Sequence, residues 1–162
     1  AYIDRKKEGY RLFDDDRVII DTERFLSLLS KACDQPEHDE QVLGLYLDAL
    51  DLYRGEFLEE DRFEQWCIED RLSISARYRE AVERVIHILE AEQDWAKAIS
   101  YAEILIRENP LDETAVGKQM LYFSKTGQPS RIKSAFDAYL KSAGESDIPA
   151  SEKITALFHN LV

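Results

Sequence analysis

The chain has 162 residues, and its 21 Lys and Arg against 33 Asp and Glu give a net charge of −12 and a pI near 4.7. Such a balance excludes nucleic-acid binding through the bulk of the surface, because phosphate contacts need clustered cations to displace counterions. With 44 % apolar and 33 % charged residues the chain can fill a core and solvate a surface, while 6 Gly and 4 Pro leave few turns for an all-β fold.

The first twenty residues differ from the rest. Tyr2-Ile3, Gly9 to Phe13 and Arg17 to Ile20 are β-favouring runs separated by Arg5-Lys6-Lys7-Glu8 and by Asp14-Asp15-Asp16, both suited to turns, which predicts a two- or three-stranded ribbon. From Asp21 the apolar period becomes helical. Asp21 or Thr22 caps a helix with Phe25, Leu28, Leu29 and Ala32 on one side, ending before Gln35-Pro36. A second helix is expected from about Asp39 to Arg54, with Val42, Leu43, Tyr46, Ala49, Leu50 and Tyr53 on one stripe and a stop at Gly55. Arg62 to Glu92 contains neither Gly nor Pro and reads as a short helix followed by a long one, broken near Cys67 to Asp70. Later punctuation is plainer. Asp94 caps a helix ended by Asn109-Pro110, Asp112 one ended by Thr126-Gly127, Pro129 opens one closed by Ala143-Gly144, and Ser151 caps the last.

Ten of the twelve surplus negative charges fall within residues 37–70, where Arg54 and Arg62 are the only cations among twelve acids. Solvated helix faces and a partner-facing acidic surface both account for this block. Cys33 and Cys67 lie far apart with no CxxC spacing, so a reducing, cytoplasmic setting is expected without disulfides. No run approaches the roughly 18 apolar residues of a membrane span.

A period of 34 residues relates the second half of the chain to itself: Ala81 to Ala115, Val82 to Val116, Ile86 to Met120, Leu89 to Phe123, Ala98 to Ile132, Leu105 to Tyr139 and Ile106 to Leu140. Gln93-Asp94 falls on Gly127-Gln128, and Asn109-Pro110 on Ala143-Gly144. Each unit is a pair of antiparallel helices that must stack on neighbours to bury its apolar face. Asp94-Trp95-x-x-Ala98-Ile99 and Asn109-Pro110 resemble a tetratricopeptide repeat. The second unit departs from that pattern, with Pro129 at the aromatic position and Gln119 at an apolar one. Ile86 and Met120 stand where the repeat has a small residue.

The run Leu50-Asp51-Leu52-Tyr53-Arg54-Gly55-Glu56-Phe57-Leu58, followed by Phe63-Glu64-Gln65-Trp66, is similar to the signature of the bacterial transcriptional activator domain, a module of the antibiotic-regulatory-protein activators and related response regulators. The resemblance continues through Asp94-Trp95-x-x-Ala98 and Asn109-Pro110-Leu111-Asp112-Glu113, and more loosely through Pro149 to Phe158, covering residues 21–162. It implies an all-α body of stacked tetratricopeptide-like helix pairs with a short N-terminal β-hairpin, non-enzymatic and without cofactor or metal. Gly9-Tyr10-Arg11-Leu12 is similar to the last strand of the winged-helix DNA-binding domain that precedes this module. Residues 1–20 would then be the end of such a domain, with Arg5, Lys6 and Lys7 at the wing tip; an exposed turn is the simpler alternative for the triplet.

The residues themselves offer no catalytic constellation. His38, His87 and His159 have no metal-ligand spacing, and no phosphate loop or nucleophile elbow occurs. The repeat register instead places Glu80, Glu83, His87 and Glu90, with Thr114, Gly117, Leu121 and Ser124, on the concave side. That strip either binds a protein segment or the protein's own regulatory domain, or packs against other helices. The expected role is coupling of a signal or of dimerisation to promoter binding by an upstream domain. A free-standing adaptor with no DNA role is the alternative, and a homodimer is left open.

Overall fold

A computed structural model describes residues 3–6, 9–12, 21–36, 40–58 and 64–162. Among them are seven α-helices and one antiparallel pair of four-residue strands, β1 (Ile3–Lys6) and β2 (Gly9–Leu12), in the register Ile3 opposite Leu12 and Lys6 opposite Gly9. The third β-favouring run, Arg17 to Ile20, and the turn residues Lys7 and Glu8 lie outside the described residues, as do His38 and Glu59 to Phe63. The chain forms two compact units, residues 1–74 and 75–162.

In the first unit, α1 (Asp21–Cys33) packs on α2 (Glu40–Leu52). Asp21 accepts the Thr22 amide at 2.8 Å, and Phe25, Leu29 and Ala32 recur at helical spacing on the buried side of α1. They meet Val42, Tyr46 and Ala49 of the predicted α2 stripe, all at most 5 % exposed, while Phe25 and Tyr53 bring ring centroids to 6.2 Å. Past α2 the chain turns through Tyr53 to Leu58, and a 3₁₀ turn, Gln65–Cys67, leads directly into α3 (Ile68–Ala91). The break expected near Cys67 to Asp70 is this change from 3₁₀ to α winding. Arg71 holds the Tyr53 to Leu58 segment in place. Its guanidinium donates to the Phe57 and Leu58 carbonyls at 2.8 and 2.9 Å and to Cys67 Sγ at 3.3 Å. Two successive carbonyls gathered on one cation support Leu58 in the left-handed region at φ 51°.

The second unit contains the rest of α3 with α4 (Trp95–Glu108), α5 (Glu113–Lys125), α6 (Pro129–Glu145) and α7 (Glu152–Leu161). The caps are those the sequence predicts: Asp94 accepts from the Lys97 amide, Asp112 from Thr114 and Ala115, and Ser151 from Ile154. Six of the seven 34-residue pairs are buried on both members, none above 3 % exposed. Ile106 and Leu140 differ, since Ile106 is half-buried and Leu140 is 40 % exposed. Ile86 and Met120, the large residues at the expected small position, are fully buried.

The repeat also governs how helices end. At the end of α3 the Asp94 amide reaches the Leu89 carbonyl and the Gln93 amide that of Glu90; at the end of α5 Gln128 reaches Phe123 and Gly127 reaches Ser124. Both are Schellman closures, with Gln93 (φ 58°) and Gly127 (φ 68°) at the left-handed position, 34 residues apart as the sequence alignment has it. The match of Asn109-Pro110 to Ala143-Gly144 does not hold. Pro110 stops α4 at Glu108, whereas no proline interrupts α6, which continues to Glu145 and closes with Asp147 (φ 55°) at the same motif. Only glycine takes positive φ without strain, so Gln93→Gly is expected to raise stability by up to about 1 kcal/mol. A Cβ at Gly127 would meet no atom within 4 Å, so Gly127→Ala should cost about 1 kcal/mol from the backbone alone. Urea denaturation of the two variants, read against wild type, checks the opposite signs.

Candidate partner-binding surface

Helix α5 is the centre of the second unit. Of its thirteen residues, Ala115, Val116, Gly117, Gln119, Met120, Tyr122 and Phe123 are buried, so it is covered on most sides. Toward α3, the Tyr122 hydroxyl donates to Glu90 Oε1 at 2.6 Å and Lys118 Nζ to Glu90 Oε2 at 2.9 Å, while Arg79 pairs with Asp112 at the other end. Burial first, and then the Glu90 hydrogen bond, push the Tyr122 hydroxyl well above its ordinary pKa, so it donates a proton and does not ionise. Toward α4, Trp95 stacks on the Tyr122 ring at 5.9 Å. Toward α6, Arg131 lies 4.2 Å over the Phe123 ring and bonds Glu103 at 3.3 Å.

Toward α7, a carboxylate latch does the fastening. Glu113, in the first turn of α5, accepts from the Ser151 hydroxyl, from the Ser151 amide at 3.2 Å and from the Tyr139 hydroxyl at 2.6 Å. Ser151 thereby caps α7 while its own proton goes to α5. The Ser151 hydroxyl, followed by that of Tyr139, holds the Glu113 carboxyl below the usual range, and burial together with Glu113 pushes Tyr139 up to about 12. Phe136 and Phe158 stack 4.2 Å apart across α6 and α7. Gly117 lets α7 come close, since a Cβ there would stand 3.1 Å from Leu157 Cδ2.

Between α5 and α7 a groove of about 290 Å³ remains. Gly117, Leu121, Ile154 and Leu157 supply its apolar lining, and Lys118, Lys153, Glu113 and Thr114 its polar edge. The expected strip is thus distributed unevenly. Glu80, Glu83 and His87 are exposed on α3, Glu83 bonded to Arg79 at 3.3 Å and His87 lying 3.9 Å from Glu90. Glu90 has both oxygens engaged within the unit and serves packing, while Gly117 is covered by α7. Thr114, Leu121 and Ser124 are exposed, the first two at the groove. Lys118, Lys153 and Leu157 join this surface although the concave register does not include them; carried once more, from α5 to α7, that register falls on Ile148, Ser151, Thr155 and Phe158, so nothing in it points to Lys153 or Leu157. In the first unit, a cavity of about 340 Å³ opens beside the signature segment, lined by Phe25, Leu52, Tyr53, Phe57, Leu58 and Ile74 among others.

The order of capped helices, the Tyr53 to Leu58 segment and the stacked pairs agree with the sequence comparison, in which residues 20–162 match the bacterial transcriptional activator domain. The chain belongs to that family. A comparison with curated proteins returns no significant match. As a bacterial transcriptional activator domain the chain serves transcription regulation, in a family that is regulatory and non-catalytic. Among the described residues no helix is long and apolar enough to cross a membrane, and no group of three His, Cys, Asp or Glu side chains could hold a metal ion. Arg5 and Lys6 lie on β1, whereas Lys7 lies outside the described residues.

The latch has a testable pH signature. A carboxyl depressed in the folded state stabilises fully above its unfolded value, about 4.3, and that contribution is lost as pH falls through the folded value. Glu113→Gln is therefore expected to flatten the acid limb of the Tm profile below about pH 5, and to speed amide exchange in α7 at neutral pH. Equal acid slopes in wild type and variant would contradict the assignment.

Proposed function

We propose that this chain is the regulatory body of a transcription activator, joined at Asp21 to a winged-helix DNA-binding domain of which residues 1–20 are the terminal strands. The observation that carries this reading is that the family match begins at residue 20, so that the strand pair Ile3–Lys6 and Gly9–Leu12, with Arg5 and Lys6 on its first strand and Lys7 next in the sequence, stands before the module. In this reading the triplet contacts DNA phosphates in the full-length protein. The helical body contacts no DNA, in keeping with the ten surplus acids in residues 37–70.

The helical body acts through protein contacts, with a protein segment, the protein's own regulatory domain or a second copy as occupant, and so couples a signal or dimerisation to promoter binding. Glu80, Glu83 and His87 on α3, with Thr114 and Leu121 on α5, form the contact strip. Glu90 supports it by holding α3 to α5 through Tyr122 and Lys118.

In the full-length protein, charge reversal of Arg5, Lys6 and Lys7 should weaken promoter binding and reduce the magnitude of the salt slope by about 1 for each phosphate no longer neutralised. A Glu83→Lys, Leu121→Arg variant should bind the promoter normally in a gel-shift assay yet fail to activate transcription from it. Unchanged DNA affinity in the first variant sinks the wing-tip assignment, and full activation by the second sinks the contact strip.

A further inference from the structure

The groove between α5 and α7 lies wholly within the second unit, and its floor is apolar: Gly117 and Ile154 are buried, Leu157 is half-buried and Leu121 is exposed. Three charged side chains stand at its edge, Glu113, Lys118 and Lys153. They are not equally open to an incoming group. Both oxygens of Glu113 already accept protons, from Ser151 and Tyr139, and Lys118 is bound to Glu90 at 2.9 Å. Lys153 donates no hydrogen bond and forms no ion pair among the described residues, beyond a through-space pull on Glu113. The groove thus joins an apolar floor to a cation that lacks a close acid.

Its dimensions suit a small molecule better than a polypeptide. The α7 wall runs only from Lys153 to Leu157, about 6 Å at the rise of a helix, which is too short for the i, i+3, i+4 and i+7 anchors of a docked helix. An extended segment would need a row of unpaired backbone groups to add to, and both walls are helices whose amides and carbonyls bond within themselves. A cavity of about 150 Å³ lodges one benzene ring, so the groove of about 290 Å³ holds a fused pair of rings, or a chain of about eight carbons with its headgroup.

We propose that this groove binds a small apolar carboxylic acid, whose alkyl or aromatic part lies on Leu121, Ile154 and Leu157 and whose carboxylate meets Lys153 Nζ. Charge selects among apolar molecules of this size: an amine would face two lysines, an alcohol would leave Lys153 without a counter-charge, and a carboxylate forms a charge-assisted hydrogen bond with it. Once bound, the acid covers Thr114 and Leu121, the α5 part of the contact strip, and so competes with a protein partner for them. That consequence rests on the reading of the strip as a contact surface, whereas the binding itself does not.

Octanoate titrated into the chain, followed by calorimetry and by amide chemical shifts, should bind with a Kd of about 10 µM to about 1 mM, the range open to a ligand of so few atoms. The shifts should centre on Gly117, Leu121, Ile154 and Leu157. Octylamine should bind at least tenfold more weakly. Lys153→Glu, at an exposed position, should weaken octanoate at least tenfold with unchanged circular dichroism, and Leu121→Trp should block it by filling the groove from its open side. No binding up to about 10 mM octanoate, shifts scattered over the surface, equal binding of the amine, or indifference to both variants would overturn the proposal. So would a blocked, uncharged leucine-rich peptide that binds the groove at least tenfold more tightly than octanoate, which would assign it to a protein segment. Because binding is read on this chain without a promoter, its failure leaves the Glu83→Lys, Leu121→Arg test of the contact strip standing.

Discussion

The Tyr122 hydroxyl is buried at the centre of the second unit, and it needs an acceptor. An unsatisfied buried hydroxyl costs about 1–3 kcal/mol, so the chain must bring one to it. Glu90 is that acceptor, and it comes from the preceding helix 32 residues away. The same carboxylate takes Lys118, which returns a positive charge to the otherwise costly half-burial of a Glu. One interaction thus sets the separation and register of α3 and α5. With that register, Trp95 stacks on the other side of Tyr122, and Arg131 covers Phe123.

The latch at Glu113 repeats the device one step along the stack. A carboxylate at the start of α5 accepts from the cap of α7, so that the N-terminus of α7 is satisfied and positioned by the same serine. Helix pairs of this kind cannot bury their apolar faces alone, and fastening by polar contacts at helix ends leaves the inner faces to packing. Between the fastened ends Gly117 allows α7 to approach, and where the two helices diverge the apolar groove is left. The surface proposed for recognition is therefore a by-product of how the stack is held together.

The first unit follows a different rule. Its α1 and α2 pack through ordinary amphipathic stripes, but the segment after α2 has little regular structure of its own. Arg71 supplies what a helix or strand would supply from its backbone, two donors for two successive carbonyls.

Most helices of this protein were legible in the sequence, since caps and stops act within a few residues: Asp94, Asp112 and Ser151 each accept from amides two or three positions ahead, and Pro110 and Gly127 end helices by local geometry. The 34-residue period also identified buried partners, because periodic burial leaves its mark on residue type at Val82 and Val116 or at Leu89 and Phe123. Periodicity could not foresee that Glu90 would be consumed by Tyr122, that α7 would cover Gly117, or that α6 would outrun its counterpart α4. Exposure at a concave position depends on which side chains arrive from elements 30 or more residues away, and an acid on a helix face looks the same in sequence whether solvent or a tyrosine hydroxyl receives it. Residue pattern alone determined the all-α class and the repeat. Only the tertiary structure decided which part of the predicted strip is scaffold and which part is left exposed, because that depends on long-range hydrogen bonds and close packing that carry no local signature.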